Sequence, residues 1–305
     1  MMSRQQNSCT ILGANGYIGR HLAYYLNQKG FRVFAYDIQP LPNPNLPVEI
    51  QYEPFDICHN YNHINLDVDY LFVFSGITGT KNGFEQYKTF IEVNEIGLLN
   101  ILSLVKGMEK KPKIIFPSTR LVYKGLEQPL PEEAEKEAKT IYAANKLACE
   151  QYLKMYAHCF GITYTIYRIC VPYGNLFDGE FSYGTIGAFL NRAKSGDTIT
   201  LYGDGEIKRS LTHVVSVCQQ ITDSMSLPAS DNSTFNIAGE TFSLKELAVK
   251  IAAIYGTPVT YIPWNDLDWK IESGSTEFDG EKLEGVIRIE SQWTFDLWLQ
   301  EIKVQ

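Results

Sequence analysis

The sequence lacks the cysteine pattern that builds disulfide frameworks and many metal sites. None of its six cysteines forms a C-x-x-C pair. We therefore expect reduced cysteines that pack as small apolar side chains, and we expect no bound metal ion. A chain of 305 residues does not need such cross-links. A fold of this length buries about three quarters of the surface that its unfolded chain exposes.

Long basic runs and long apolar runs are also missing. Acidic residues outnumber basic residues by 35 to 27, which gives a formal net charge of −8. Nucleic acid is therefore not an expected partner, because its phosphates attract clusters of Lys and Arg. No apolar stretch approaches the roughly 18 residues of a membrane-spanning helix, and the N-terminal apolar run is short. We expect a cytoplasmic protein with no membrane partner.

Strand-like and helix-like segments alternate over the first 170 residues. The predicted strands are 8–12, 31–36, 70–74, 113–116 and 162–168, and the predicted helices are 17–29, 92–106 and 141–160. This alternation predicts an α/β fold of the Rossmann type, a doubly wound parallel sheet with helices on both faces. We assign residues 1–170 to this domain, with returns to the sheet near 211–237, and residues 171–305 to a smaller, mainly helical substrate-binding lobe. The proline-rich stretch 40–54 predicts a surface connection.

Three glycines lie at the turn between the first predicted strand and the first predicted helix. In ILGANGYIG, Gly13 allows a tight turn, Gly16 lets the backbone approach a pyrophosphate, and Gly19 lets helix and strand pack closely. The helix N-terminus supplies N–H donors for phosphates. Asp37, at the end of the second strand, can accept hydrogen bonds from both ribose hydroxyls and would repel a 2′-phosphate. We therefore predict a dinucleotide-binding domain that uses NAD, with NADP as the weaker alternative.

A second acidic residue, Asp56, closes another short apolar run near the third strand. It is a candidate for contact with the adenine amino group of the dinucleotide. The alternative is an aspartate that caps the following turn.

Tyr142 and Lys146 lie four residues apart on one face of a predicted helix. A cation beside a phenol lowers the tyrosine pKa, and such a tyrosine can take a proton from a sugar hydroxyl while the carbon is oxidised. The spacing alone is a weak signal, because Tyr25 and Lys29 share it. We interpret that second pair as packing plus a solvated lysine, since it lies in the first helix. Tyr142 instead follows the strand at 113–116 and opens the next helix.

Together these motifs resemble the extended short-chain dehydrogenase/reductase family, which includes nucleotide-sugar epimerases, dehydratases and ketoreductases. The resemblance runs from Cys9 to about Leu299. The segments that carry it are ILGANGYIG, Asp37, FDI at 55–57, FSG at 74–76, NEIGLLNIL at 94–102, PSTRLVY at 117–123, YAANK at 142–146, RICVPYG at 168–174, LYGDGEIKR at 201–209 and D-x-x-K-L at 279–283.

The resemblance implies a role for each residue that matches the family's motifs. It implies that Tyr142 is the acid/base, that Lys146 contacts the nicotinamide ribose and Tyr142, and that Thr119 bonds the reacting oxygen. Ser118 and Arg209 are implied substrate contacts, Arg209 on the diphosphate. The implied cofactor contacts are Gly13, Gly16, Tyr17, Ile18, Gly19, Asp37, Asp56, Ile57, Ser75, Gly76, Asn94, Tyr142 and Lys146.

Several positions depart from the family's pattern. Lys124 stands where glycine is usual, Val171 where asparagine is usual, and Ser210 where aspartate is common. Arg120 and Leu121 follow the catalytic threonine position. Nucleotide-sugar 4,6-dehydratases carry Asp-Glu there, and the decarboxylases resemble them in carrying a Glu. Elimination of water therefore lacks its acid in this chain.

We predict an NAD-dependent nucleotide-sugar epimerase that acts at C4 of a nucleoside-diphosphate sugar through a 4-keto intermediate. One alternative is an NAD(P)H-dependent 4-reductase of a nucleotide 4-keto-6-deoxysugar. A more distant alternative is a catalytically silent, dinucleotide-sensing protein on the same fold. We also predict a homodimer through the apolar faces of the helices at 92–106 and 141–160.

Overall fold

The computed structural model describes residues 6–59, 61–177, 183–290 and 292–304. The strands are β1 (Ser8–Leu12), β2 (Arg32–Asp37), β3 (Gln51–Pro54), β4 (Tyr70–Val73), β5 (Lys113–Thr119), β6 (Tyr164–Ile169), β7 (Val171–Tyr173), β8 (Ile199–Tyr202), β9 (Lys208–His213), β10 (Ser233–Asn236), β11 (Glu240–Ser243) and β12 (Val259–Ile262). The α-helices are α1 (Tyr17–Gln28), α2 (Asn82–Glu85), α3 (Tyr87–Ile91), α4 (Gly97–Lys106), α5 (Ile141–Phe160), α6 (Gly184–Lys194), α7 (Val214–Ser224), α8 (Leu244–Tyr255), α9 (Asp266–Ile271), α10 (Glu281–Glu284) and α11 (Phe295–Val304). None of these helices is long and apolar enough to cross a membrane.

Seven strands form the central sheet, in the order β10-β6-β5-β4-β1-β2-β3, and every neighbouring pair is parallel. The chain runs outward from β1 in one direction to β3, and then from β4 in the other direction. In such a sheet a crevice opens at the carboxyl ends of the two strands where the direction changes, here β1 and β4. The predicted α/β, doubly wound parallel fold is confirmed.

The alternation of side chains along the strands supplies a core on each face of the sheet. From β1, Cys9 and Ile11 pack with buried residues of α1 and α7, while Leu12 packs on the opposite face with residues of α4 and α5. Strands buried on both faces are apolar at nearly every position, as the sequence shows. Both cores leave the carboxyl ends of the strands open for a site.

Three local features differ from the sequence prediction. The segment that we interpreted as a surface connection contains β3, which pairs with β2 at the sheet edge. Pro54 is tolerated there because an edge strand can lack one N–H donor. The helix predicted over 92–106 opens with a π-helical turn, Glu92–Ile96, before α4 begins. In the 211–237 region, β10 does return to the central sheet, but Leu211 lies in β9 and pairs with β11 and β7.

The C-terminal residues form a lobe with its own core. Helices α6, α8 and α11 pack with two small sheets, β11-β9-β7 and β12-β8, around side chains such as Phe189, Leu247 and Trp298. Because β7 follows one residue after β6, the lobe begins at the carboxyl edge of the central sheet. The crevice at that edge therefore lies between the sheet and the lobe.

Candidate active site

Two adjoining cavities occupy the crevice. The small cavity has a volume of about 340 Å³, and its lining includes Asp37, Asp56, Ile57 and Ser75. The large cavity has a volume of about 500 Å³, and its lining includes Tyr17, Ile18, Gly19, Ser118, Thr119, Arg120, Tyr142, Lys146 and Tyr183. Gly13, Gly16, Phe74 and Gly76 line both cavities. The glycine loop thus connects one cavity with the other.

The glycine loop has no room for side chains. Gly13 has φ +86°, and a Cβ atom there would lie 2.6 Å from the backbone of Phe74 and Ser75. A Cβ atom at Gly19 would lie 2.0 Å from the Gly13 carbonyl oxygen. The loop is fixed against β2, because the Gly13 N–H donates to the Tyr36 carbonyl at 2.8 Å. These contacts explain why glycine is required at position 13, before α1, and at position 19, in its first turn.

Two carboxylates line the small cavity. Asp37 is only 8% exposed, and its Oδ2 accepts from the Asn15 N–H at 2.9 Å while Oδ1 accepts from the Gln39 N–H at 3.2 Å. Asp56 both lines the cavity and caps a turn, because its Oδ1 accepts from the Cys58 N–H at 2.8 Å. The two interpretations of Asp56 are therefore compatible.

Asn94 supports the cavities without lining them. It is buried in the π-helical turn, and its side chain accepts from the Ile77 N–H at 3.0 Å and donates to the Ile77 carbonyl at 3.1 Å. The next residue, Glu95, accepts from Asn145 at 2.5 Å and Tyr152 at 2.9 Å, both on α5. A π-helical turn adds a residue to the helix, so consecutive side chains can serve these two different partners. Asn94 thereby holds the loop that follows β4.

Thr119, Tyr142 and Lys146 meet in the large cavity. β5 ends at Thr119, whose Oγ1 accepts from the Leu121 N–H at 3.3 Å. Tyr142 lies in the first turn of α5, which begins after an N-cap formed by Thr140. The Lys146 Nζ donates to the Pro117 carbonyl at 2.8 Å and lies 5.9 Å from the centre of the Tyr142 ring. The end of β5 and the start of α5 therefore supply all three groups.

Burial shifts the pKa values of Tyr142 and Lys146. It raises the pKa of Tyr142, and the nearby Tyr183 and Cys149 act in the same direction. Burial lowers the pKa of Lys146 to about 8, although Cys149 and Glu150 oppose that change. Loss of hydration therefore dominates the pKa of Tyr142. The expectation that Lys146 lowers this pKa stays a prediction.

Ser118 is joined to a buried ion pair. Its Oγ donates to Glu150 Oε1 at 2.6 Å, and the same carboxylate accepts from Arg168 Nε at 3.0 Å and Arg168 Nη2 at 2.6 Å. All three residues are buried. This network fixes the end of β5 to α5 and β6. The substrate contact assigned to Ser118 stays a prediction.

Arg209 lies in β9 and lines neither cavity among the described residues. It is 3% exposed, and its guanidinium donates to Glu272 Oε1 at 2.6 Å and to the carbonyls of Gly274 at 2.6 Å and Lys208 at 2.8 Å. Burial, and to a lesser extent the charge of Arg120, lowers the pKa of Arg209 to about 10. The predicted contact with a diphosphate would require this guanidinium to exchange a partner.

Tyr183 is a cavity residue that the sequence did not single out. Its ring stacks on that of Tyr17 at 4.5 Å, and it is followed in the cavity lining by Gly184 and Thr185 at the start of α6. The only signal in the sequence was the accumulation of glycine and aromatic residues between 173 and 205. By contrast, Tyr25 in α1 and Lys29, the C-cap residue of that helix, line neither cavity.

Among the described residues, no group of three or more His, Cys, Asp or Glu side chains is arranged to hold a metal ion. His59 and His63 are four residues apart, yet His59 pairs with Asp56 at 3.3 Å and His63 lies against the Pro54 carbonyl.

Known proteins resemble this chain in sequence. A family model described as NAD dependent epimerase/dehydratase family matches residues 9–238. The chain is 31% identical over 219 residues to a UDP-N-acetyl-alpha-D-glucosaminuronate decarboxylase of Bacillus cytotoxicus, covering 68% of this chain and 67% of that protein. It is 23% identical over 244 residues to a probable UDP-glucuronate 4-epimerase of Rhizobium meliloti, covering 73% and 69%.

Solved structures share the fold over nearly the whole chain. A UDP-glucuronic acid 4-epimerase from Bacillus cereus, in complex with UDP-glucuronic acid and NAD, superposes with a TM-score of 0.82 at 19% identity, covering 97% of this chain and 98% of that one. Pal from Bacillus thuringiensis superposes with a TM-score of 0.86 at 18% identity, with the same coverage.

Proposed function

Since the chain belongs to the NAD-dependent epimerase/dehydratase family, we propose that it is an NAD-dependent nucleotide-sugar epimerase that inverts C4 of its substrate. The observation that carries this proposal is the meeting of Thr119, Tyr142 and Lys146 in a cavity that continues past the glycine loop into the small cavity. Residues 171–305 are then the substrate-binding lobe, because they close the other side of the large cavity.

The small cavity fits the adenosine end of NAD. Gly13 and Gly16 line both cavities without a side chain, so phosphates can approach the N–H groups that open α1. Asp37 offers a carboxylate for ribose hydroxyls. No Lys or Arg lines the small cavity among the residues that the structure describes. A 2′-phosphate would therefore meet negative charge without a cation to bind it, which favours NAD over NADP.

The large cavity fits acid–base chemistry on a sugar hydroxyl. When bound, NAD supplies a reversible two-electron oxidation of the C4 carbinol and a positive charge that favours phenolate over phenol. The Tyr142 hydroxyl then moves the proton of the C4 oxygen in both directions, and the Thr119 hydroxyl bonds the same oxygen. Lys146 holds the nicotinamide ribose and adds a second positive charge for the phenolate.

Inversion requires the 4-keto sugar to present its other face before it is reduced. On the lobe side of the large cavity, Val171, Pro172 and Gly184 offer no side-chain hydrogen bond to a ring, whereas Tyr183 and Thr185 offer hydroxyl groups. No Asp or Glu lines the large cavity among the described residues. Elimination of water from the sugar needs such an acid, and the sequence carries Arg120 and Leu121 where the dehydratases carry Asp-Glu.

Turnover without added coenzyme tests this function. The purified protein is expected to release NAD on denaturation and to interconvert a UDP-sugar and its C4 epimer, resolved by chromatography. A deuterium label at C4 should stay in the product, because the hydrogen leaves and returns within one site. Stoichiometric consumption of NADH or NADPH would instead identify the alternative 4-reductase. Absence of turnover on any nucleotide sugar would contradict both enzymes.

We also propose a cytoplasmic homodimer. On or beside the helices predicted to pair, Ile91, Ile96, Met155 and Phe160 are each more than one third exposed. Exposed apolar side chains on neighbouring helices are typical of an interface between copies. Sedimentation equilibrium should give twice the monomer mass of 34.6 kDa, and Met155→Glu together with Phe160→Glu should lower it to the monomer value. A monomer in the unmutated protein would contradict this prediction.

A further inference from the structure

Arg120 places a positive charge in the large cavity directly after Thr119. A short 3-10 turn, Arg120–Val122, follows β5, and Arg120 lines the cavity beside Thr119, Tyr142 and Lys146. Its Nη1 donates to Ser273 Oγ at 2.9 Å. Among the residues that the structure describes, this is the one hydrogen bond of the Arg120 side chain. Its remaining N–H donors are available to a ligand.

The charges around Arg120 do not balance. Arg120 and Lys146 line the large cavity, whereas no carboxylate of the described residues does. Glu272 interacts electrostatically with Arg120, but its Oε1 already accepts from Arg209 at 2.6 Å and from the Gly274 N–H at 3.1 Å. Two guanidinium groups thus share one carboxylate. Among the described residues, one positive charge thus remains at the cavity wall for an anionic ligand.

Arg209 is poorly placed to be the arginine that meets the sugar. It is almost fully buried, it makes three hydrogen bonds, and it is absent from the described lining of the large cavity. Arg120 is half-buried, and its single bond to a serine hydroxyl is weaker than an ion pair. Of these two arginines, Arg120 is the one offered to the cavity.

We propose that Arg120 is a specificity-determining residue that binds a carboxylate on the sugar ring, so that the substrate is a nucleoside-diphosphate uronic acid. This inference rests on the function proposed above. In a uronic acid the carboxylate is attached to C5, next to the reacting C4, whereas the diphosphate is attached to C1 across the ring. Thr119 is assigned to the C4 oxygen, and Arg120 is its neighbour in the chain. A planar guanidinium matches the two oxygens of a carboxylate, and a neutral hydroxymethyl group offers no such partner.

Three ligands distinguish a contact of Arg120 with the sugar carboxylate from a contact with the diphosphate. Titration calorimetry of the NAD-loaded protein with UDP-glucuronate, UDP-glucose and UDP is carried out on the unmutated protein and on Arg120→Gln. We expect the substitution to weaken UDP-glucuronate about 10- to 100-fold, the range of a hydrogen bond to a charged group. Binding of UDP-glucose and UDP should change less than about threefold. Arg120→Lys should restore part of the loss, because it retains the charge without the planar donors.

The control is Arg288→Gln, which removes an arginine from an exposed ion pair with Glu290 outside both cavities. It should leave all three affinities unchanged, and thermal melting checks that each variant is folded. An equal loss for UDP and both sugar nucleotides would overturn the proposal and assign Arg120 to the diphosphate. Unchanged binding of UDP-glucuronate to Arg120→Gln would also overturn it. If the unmutated protein epimerises UDP-glucose and ignores UDP-glucuronate, this inference fails while the proposed function stands. Absence of epimerisation of every nucleotide sugar defeats both.

Discussion

The substitution Tyr142→Phe tests the acid/base assignment with little structural disturbance. The Tyr142 hydroxyl has no hydrogen-bond partner among the described residues, and the ring is only 9% exposed. Phenylalanine keeps the ring, so the free energy of unfolding should fall by less than about 1 kcal/mol. Affinity for NAD should also change little, because Lys146 and the glycine loop are untouched.

Proton transfer, by contrast, should slow, because Tyr142→Phe removes the hydroxyl group that we assign to it. A positioned acid/base group contributes about 10²- to 10⁴-fold in rate, which corresponds to about 3–5 kcal/mol in the barrier. The loss should appear in kcat, measured with the C4 epimer pair that the unmutated protein interconverts. Lys146→Ala should slow the reaction as well and weaken NAD binding. If the two residues act as a unit, the double variant should be scarcely slower than Tyr142→Phe alone.

Tyr25→Phe is the matched control, because Tyr25 has the same spacing to a lysine. Lys29 Nζ lies 5.4 Å from the centre of the Tyr25 ring, but Tyr25 packs against the core beneath α1 and lies outside both cavities. The variant should retain full kcat. Retained activity in Tyr142→Phe, together with lost activity in Tyr25→Phe, would refute the placement of the site.

Four further predictions concern the cofactor, the support of the site, its charge and its product. NADH should bind at least about tenfold tighter than NADPH in fluorescence titrations, and Asp37→Ala should narrow that gap; equal affinities in the unmutated protein would contradict the role of Asp37. Glu150→Ala leaves Arg168 buried without its partner and should cost about 3–5 kcal/mol in urea unfolding, whereas Glu135→Ala in an exposed ion pair should cost less than about 1 kcal/mol. Burial lowers the Lys146 pKa to about 8, so the charged ammonium group opposes folding most strongly below pH 8. This cost disappears as the pH rises toward the pKa of lysine in the unfolded chain. Lys146→Met should therefore stabilise the protein by up to about 3 kcal/mol at pH 7, and by less at pH 10. Incubation with UDP-glucose should yield no 4-keto-6-deoxy product by alkaline absorbance, and accumulation of that product would reverse our conclusion on elimination.

Elements with complete local signals could be predicted from the sequence. β1 ends where Gly13 stops an apolar run, and α5 begins and ends as predicted, between the N-cap Thr140 and Gly161 at φ +64°. Elements without such signals were missed. The strand β3 lies at the edge of the sheet, where it pairs only with β2, and prolines precede it in the sequence. Its sequence therefore resembles that of a loop. The π-helical turn before α4 depends on partners in the β4 loop and α5, which periodicity does not reveal.

The cofactor half of the site was more predictable than the substrate half. Backbone geometry alone demands glycine at the loop, so its function can be interpreted from residue type and spacing. The role of an arginine depends instead on which carboxylate it meets. Arg209 binds Glu272, which is 63 residues away, and Ser118 binds Glu150, which is 32 residues away. No local sequence pattern indicates such pairs. A motif can therefore identify the residue without showing whether its side chain is free to bind the substrate.

Three consecutive residues at the end of β5 show how support, chemistry and specificity are joined. Ser118 lines the large cavity and is held by the buried carboxylate of Glu150, and the next residue, Thr119, lines the same cavity. The Thr119 hydroxyl then caps the turn that brings Arg120 to the same cavity. The orientation of the proposed specificity residue therefore depends on the anchor two positions earlier, and loss of Glu150 should disturb proton transfer and carboxylate recognition together.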